Sequence, residues 1–317
     1  MPSAVNSADG LLGFFIREAF VNRSEFLEFS KDKIVILDGA TGSALISAGM
    51  PDGACTEQWV LDNPEKLLDL QKGYIEAGCD IIYAPTFGAN AIRLRSHKLE
   101  DQVERFNTEG VKLSKSIAGS ALVAGDISMS GDTLEPYGDL EYEELVDVYK
   151  QQIACLDKAG CDLLVAETIM DLNEAKAVLD AARDVTDLAV MVTLTFEASG
   201  RTMFGAAPED AAKELFDMGA AAVGANCSAG PEQMAPLIEK MAAAVDIPVI
   251  AKPNAGKPLP SLGKGIKYDI DAGSFAIMMT RLVDAGANII GGCCGTNPEY
   301  MRQVVQLCDN MTFRSKF

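Results

Sequence analysis

Three cysteines stand where they could hold a metal ion. Cys227 lies in Gly224-Ala-Asn-Cys-Ser228, and Cys293 and Cys294 are adjacent in Gly291-Gly-Cys-Cys-Gly295. Each cluster follows a short apolar run of strand type, 220–224 and 288–291. The sulfurs should therefore project from loops just past strand carboxyl ends, where barrel enzymes place their chemistry. Three thiolates fill three corners of a zinc tetrahedron and leave the fourth to a substrate atom, unlike a closed structural site of four cysteines. A soft fourth ligand such as a thiol suits that corner. The rival reading, buried core thiols or a structural metal, fits poorly, because a vicinal pair between glycines makes poor core.

The remaining composition narrows the class. The chain has 317 residues, 48% of them hydrophobic, enough for one large barrel or two medium domains. Its net charge of −19 repels polyanions, so nucleic acid is not an expected partner. No apolar run approaches the ~20 residues of a membrane span, and no basic segment leads into a signal core, so a cytoplasmic protein is expected, with no membrane partner. Eight cysteines are too few for a disulfide scaffold in a chain of this length. Cys79 and Cys161, each in Ala-Gly-Cys-Asp before an apolar run, read as core thiols. Cys155 and Cys308 fall on expected helices and Cys55 in a loop. The single histidine, His97, lies in a polar basic stretch and reads as surface, which argues against imidazole-rich zinc hydrolases and Ser-His-Asp hydrolases.

The elements that must position the cysteines repeat eight times. Strands are expected near 34–37, 81–84, 121–124, 163–166, 189–194, 221–225, 248–251 and 288–290. Helices are expected over 65–77, 99–118, 142–159, 172–185, 208–218, 231–244, 272–285 and 298–308. Such alternation predicts a parallel sheet, and eight units predict an α/β fold of one (β/α)8 TIM barrel. A doubly wound sheet is the alternative, but Asp38-Gly-Ala-Thr-Gly-Ser43 lacks nucleotide-loop spacing. Apolar residues at partly helical spacing over 11–29 predict an N-terminal helix plugging the barrel bottom, a dimer contact being the alternative. The division is thus a helical extension over 1–30 and a barrel over 31–317. The loop 257–271 is expected to be a mobile surface segment near the active face.

In this register polar residues follow every strand: Asp38, Thr86, Asp126, Glu167, Thr195, Asn226 with Cys227, Asn254, and Cys293 with Cys294. They gather at one mouth. Capping or loop hydrogen bonding is the plain alternative for Asp38 and Asp126. Glu167 ends a fully apolar strand, where an unpaired carboxylate is costly, so a cationic partner is required.

Asp38-Gly-Ala-Thr-Gly42, Pro85-Thr-Phe-Gly-Ala-Asn90, Gly125-Asp-Ile127, Glu167-Thr168, Gly224-Ala-Asn-Cys-Ser228, Lys252-Pro-Asn-Ala-Gly-Lys-Pro258 and Gly291-Gly-Cys-Cys-Gly-Thr296 together resemble the homocysteine S-methyltransferase family. The closest likeness is to the homocysteine-binding barrel module of cobalamin-dependent methionine synthase, and it runs from about Ile34 to about Cys308. The resemblance implies zinc held by Cys227, Cys293 and Cys294, with homocysteine sulfur as the fourth ligand. It implies that Asp38 and Glu167 hold the amino group, that backbone amides at Gly39 and Ala40 take the carboxylate, and that Asn254 can fill the zinc position without substrate. Thr86 and Asp126 join these as substrate-contact candidates. The chain departs from the family pattern at Ala84-Pro85-Thr-Phe87, where many members have Thr-Asn-Thr-Phe, and at Ser43-Ala44, where a glutamate often stands. Both departures bear on the methyl donor and the shape of the mouth.

The expected function is methylation of homocysteine to methionine with the substrate thiolate as nucleophile. No folate or cobalamin module fits beyond the barrel in this sequence, so the methyl is expected from a methylcorrinoid on a separate protein. An S-methylmethionine- or betaine-type donor is the alternative, weakened by a single tryptophan, Trp59, for an aromatic cage. Two further alternatives are a demethylation pathway acting on another thiol or methylated substrate, and a non-catalytic zinc-binding module.

Overall fold

The computed structural model describes residues 21–227, 229–259 and 267–308. Short apolar runs form ten strands: β1 (Val35–Ile36), β2 (Ile81–Tyr83), β3 (Leu122–Ile127), β4 (Leu163–Ile169), β5 (Val190–Leu194), β6 (Ala222–Asn226), β7 (Val249–Lys252), β8 (Pro258–Leu259), β9 (Lys267–Tyr268) and β10 (Ile289–Ile290). Eight of them are parallel, in the order β1-β10-β7-β6-β5-β4-β3-β2. The ring closes between its ends: the Asp38 amide donates to the Ile81 carbonyl at 3.0 Å and the Asp80 amide to the Ile36 carbonyl at 2.7 Å. This is the expected (β/α)8 barrel.

Twelve helices accompany it among the described residues: α1 (Arg23–Ser30), α2 (Gly42–Ser47), α3 (Thr56–Asp62), α4 (Pro64–Ala77), α5 (Ala91–Arg95), α6 (Val103–Lys115), α7 (Tyr142–Ala159), α8 (Leu172–Val185), α9 (Pro208–Asp217), α10 (Pro231–Ala244), α11 (Ala272–Asp284) and α12 (Pro298–Cys308). The repeated Ala-Gly phrases end helices: Gly78 and Gly160 take left-handed φ of 100° and 84° after α4 and α7. None of the described helices is long and apolar enough to cross a membrane.

The strand pleat sorts the side chains. Leu122, Ala124, Leu163, Val165, Met191, Ala222, Ile250 and Ile289 fill the barrel interior, while Val123, Leu164, Val192, Val223, Val249 and Ile290 pack outward under the helices. The next inward positions toward the carboxyl ends are Asp126, Glu167, Thr193, Asn226 and Lys252. Strands β3, β4, β6 and β7 therefore run on through residues that the sequence reading placed just after them. The interior is apolar below and polar at its top.

Two expected segments differ in detail. The N-terminal helix is α1; its Phe26, with Val21, joins the interior cluster. The Val21 amide donates to Asp162 O at 2.9 Å and its carbonyl accepts from Ala189 N at 2.8 Å. Both partners lie at strand starts, so α1 closes the bottom of the barrel; residues 11–20 lie outside the described residues. The flanks of the expected loop 257–271 form an antiparallel hairpin, β8 with β9. The Lys257 amide donates to Asp269 Oδ1 at 2.7 Å and the Ile270 amide to Ala255 O at 3.1 Å, tying the hairpin to the loop after β7.

Phe26 is fully buried in this plug. Phe26→Ala is expected to cost about 3–5 kcal/mol in urea unfolding. An unchanged midpoint would show that α1 contributes nothing to barrel stability.

Candidate metal and substrate site

The three cysteines are drawn together by backbone bonds between neighbouring loops. The Cys227 amide donates to Lys252 O at 3.1 Å, the Cys293 amide to Pro253 O at 2.8 Å, and Cys294 O accepts from the Ala255 amide at 2.9 Å. Cys227 takes a left-handed φ of 59°, and so does Thr168 at 61°. Such backbone costs about 1–3 kcal/mol per residue and concentrates at functional sites. Asn226 braces it: its side chain accepts from the Thr168 amide at 2.9 Å and donates to the Thr168 hydroxyl at 2.8 Å.

The result is a group of three sulfurs all within 4.8 Å of one another. The edge of a zinc–thiolate tetrahedron is ~3.8 Å, given bonds of ~2.3 Å, so small side-chain movements suffice to hold the ion. The donor set suits a soft, borderline cation. As thiols, Cys293 and Cys294 are burdened by Cys227: hydrogen bonding with it comes first among the causes that push Cys294 up to about 11 and Cys293 well above its ordinary value. A divalent cation reverses that, because it takes the thiolate forms. Asn254 Oδ1, on the loop between the two sulfur segments, is buried without a hydrogen-bond partner.

Beneath and beside the sulfurs lies the polar top of the barrel. Lys252 reaches Asp38 Oδ1 at 3.3 Å and Glu167 Oε2 at 3.4 Å, and its ammonium stands 4.0 Å over the Tyr83 ring. This is the cation that Glu167 requires. It was missed as a site residue, although it is the only charged residue in the β7 run Val249–Lys252. Burial alone would lower the lysine's pKa; Glu167 and Asp38 override it and hold the ammonium well above its ordinary value. Burial raises both Asp38 and Glu167 against the pull of Lys252. Asp126 is pushed well above the ordinary carboxylate range, by burial first and by the Glu167 carboxylate second. Its Oδ1 is buried and has no hydrogen-bond partner.

One cavity of about 310 Å³ joins these groups. Gly39, Ala40, Asp126, Glu167, Lys252 and the three cysteines line it, whereas Asp38, Thr86 and Asn254 do not. Asp38 is turned to the Tyr83 amide, which donates to its Oδ2 at 2.8 Å. The Thr86 hydroxyl is committed to the Asp126 backbone, accepting from its amide at 3.0 Å and donating to its carbonyl at 2.8 Å. The Ala40 amide donates to Thr296 Oγ1 at 3.1 Å. The Ser43 hydroxyl accepts from the Gly295 amide at 3.1 Å. The outer end of the cavity includes Cys55, Phe87, Arg93 and an exposed His97. Burial and then Glu57, whose Oε2 accepts from its thiol at 3.4 Å, push Cys55 up to about 11. Cys79 and Cys161 are buried in the core as expected.

Asp126 gives a pH test. A carboxyl whose folded pKa is raised favours the folded state at low pH, and that contribution is lost as pH rises through the folded value. Asp126→Asn, which carries no charge to bury, should therefore gain thermal stability over the parent as pH rises from 4 to 9, by roughly 3 °C or more at the top of the range. Parallel melting profiles across that range would contradict the assignment.

Similarity to other proteins falls on these same features. The family described as homocysteine S-methyltransferase matches residues 35–308. The methionine synthase of Mycobacterium leprae is 28% identical over 302 residues, 89% of this chain and 25% of that protein. That of Mycobacterium tuberculosis is 28% identical over 309 residues, 91% of this chain and 26% of that protein. The chain thus spans about a quarter of the length of these relatives. Among solved structures, the metallated form of the Escherichia coli homocysteine methyltransferase MmuM superposes with a TM-score of 0.74 at 21% identity, covering 90% of this chain and 100% of that one. The carboxyl transferase domain of Rhizobium etli pyruvate carboxylase, at 15% identity and a TM-score of 0.52, shares the barrel alone. A match over nearly the whole barrel, including every strand end that meets at the sulfur cluster, means that this chain belongs to the homocysteine S-methyltransferase family.

Proposed function

We propose that the chain is a zinc-dependent methyltransferase that binds homocysteine by its sulfur and methylates it to methionine, with the methyl group delivered by a methylcorrinoid on a separate protein. The observation that carries this reading is the placement of three sulfurs within 4.8 Å of one another on the wall of a cavity that also carries Glu167 and Asp126. Zinc held by Cys227, Cys293 and Cys294 would supply the charge that keeps a substrate thiol ionised at neutral pH, since a free thiol has a pKa of about 8.5. The protein's own groups orient the rest of the amino acid. Carboxylates face its ammonium group, and Gly39, beside the committed amide of Ala40, is placed to meet its carboxylate. Sulfur then forms a bond to the methyl carbon as the donor's bond to that carbon breaks, and no protein base is needed.

Two observations favour a protein-borne donor. A quaternary or sulfonium donor wants an aromatic cage, yet the aromatic residues on the cavity wall are Tyr83 and Phe87, and Lys252 already covers the Tyr83 ring. The rim outside carries apolar surface: Tyr137 is 74% exposed and Met203 56%, and the Tyr137 and Phe204 rings lie 5.3 Å apart. These residues sit on loops that follow β3 and β5, on the face where the cavity opens. A reducing, cytoplasmic setting suits a site built from three thiols.

Supplying a methylated corrinoid protein with homocysteine should yield methionine, and S-methylmethionine alone should not; equal rates with S-methylmethionine would overturn the donor. Changing any one of the three cysteines to Ala should remove bound zinc and cut methionine formation roughly a hundredfold or more, measured on the same samples. Full zinc and full turnover in Cys294→Ala would contradict the site.

A further inference from the structure

We propose that Lys252 closes the gap between Asp38 and Glu167 to the substrate, so that the ammonium group of the amino acid is received by Asp126 with Glu167, and Asp126 sets the preference for an amino-bearing thiol. This rests on the reading that the chain binds homocysteine. It departs from the pairing of Asp38 with Glu167 that the family resemblance implies.

Lys252 is 3% exposed and holds both carboxylates at once, 3.3 Å from Asp38 Oδ1 and 3.4 Å from Glu167 Oε2. A second ammonium cannot take the same position. Asp38 Oδ1, like Asp126 Oδ1, is buried without a hydrogen-bond partner, but it lies in the ion pair with Lys252 at 3.3 Å, and Oδ2 accepts from the Tyr83 amide at 2.8 Å. It is 1% exposed and absent from the cavity wall. Its role is to fix Lys252.

Asp126 differs from Asp38 in its place on the cavity wall and in having no ion pair among the described residues. It is on the cavity wall, 5% exposed, and its Oδ1 is buried with no hydrogen-bond partner. Thr86 holds its backbone from both sides, at 3.0 and 2.8 Å, which fixes the point on β3 from which the carboxylate is presented. A buried acceptor left without a donor costs free energy. Lys252 uses Glu167 Oε2, which leaves Oε1 for a second cation. One lysine serves three carboxylates here, and a substrate ammonium between Asp126 and Glu167 is the missing counter-charge.

The test is a comparison of two thiols on the cobalt-substituted protein, read by the thiolate-to-cobalt absorption that appears on binding. L-homocysteine carries the ammonium group and 4-mercaptobutyrate lacks it. The parent protein should prefer homocysteine by roughly 10- to 100-fold, as expected for a hydrogen bond to a charged group. Asp126→Asn should shrink that preference to about threefold or less, whereas Asp38→Asn should weaken both thiols and keep the ratio. Because the ratio compares two ligands on one sample, a reduced folded fraction does not enter it; Asp126→Ser serves if the asparagine variant misfolds. In Lys252→Met the lysine no longer blocks Asp38, so adding Asp126→Asn should there leave the preference largely intact. The proposal is overturned if Asp38→Asn abolishes the preference while Asp126→Asn keeps it, or if the parent shows no preference. If neither thiol alters the spectrum of the parent, the homocysteine reading itself fails, which is a different result.

Discussion

Carboxylates cannot stay ionised at the top of an apolar barrel without a cation beside them, and the arrangement of the whole mouth follows from how Lys252 meets that need. Its ammonium bridges β1 and β4 from the end of β7, holding Asp38 and Glu167 together across the interior. Each of these ions would be expensive alone in that setting, and the bridge offsets the cost only because both oxygens lie within reach. With the bridge in place, neither carboxylate is left to seek solvent, and Glu167 stays on the cavity wall. The sulfur cluster stands on the same frame, since the Lys252 carbonyl receives the Cys227 amide.

Much of this is legible in the amino-acid sequence. Eight repeats of apolar run and amphipathic helix fixed the barrel, and α7, α8, α10 and α12 fall at the expected bounds. The cysteines announced themselves because vicinal thiols between glycines have little use as core. What escaped was parity. A charged residue ending an apolar run reads as the start of a loop, so β7 was expected to stop at Ala251 when it continues to Lys252, and β3 to stop at Ala124 when it continues through Asp126. Only with inward and outward positions counted along real strands does the lysine fall inside the barrel. The same count explains Asp38: Leu37 points inward, so the next residue turns off the cavity axis.

Other misses have simpler causes. Helices α2, α3 and α5 hold six, seven and five residues, too few to show a helical period. The β8–β9 hairpin lacks alternation because both its strands are two residues long and largely exposed. Glycines around the sulfurs have a packing reason that composition alone does not show. A Cβ on Gly224 would strike the Ile250 carbonyl, and one on Gly295 would strike the Tyr268 ring of the hairpin. Close approach of β6 to β7, and of the hairpin to the vicinal cysteines, is what brings three sulfurs from two distant stretches into one group.

The central claim is that these three sulfurs leave one corner of a zinc ion for the sulfur of homocysteine. Zinc K-edge X-ray absorption on the zinc-loaded protein tests it most directly. Three sulfur neighbours without substrate and four after homocysteine is added is the predicted result. Four sulfurs before substrate, or three that remain three at saturating homocysteine, would contradict it.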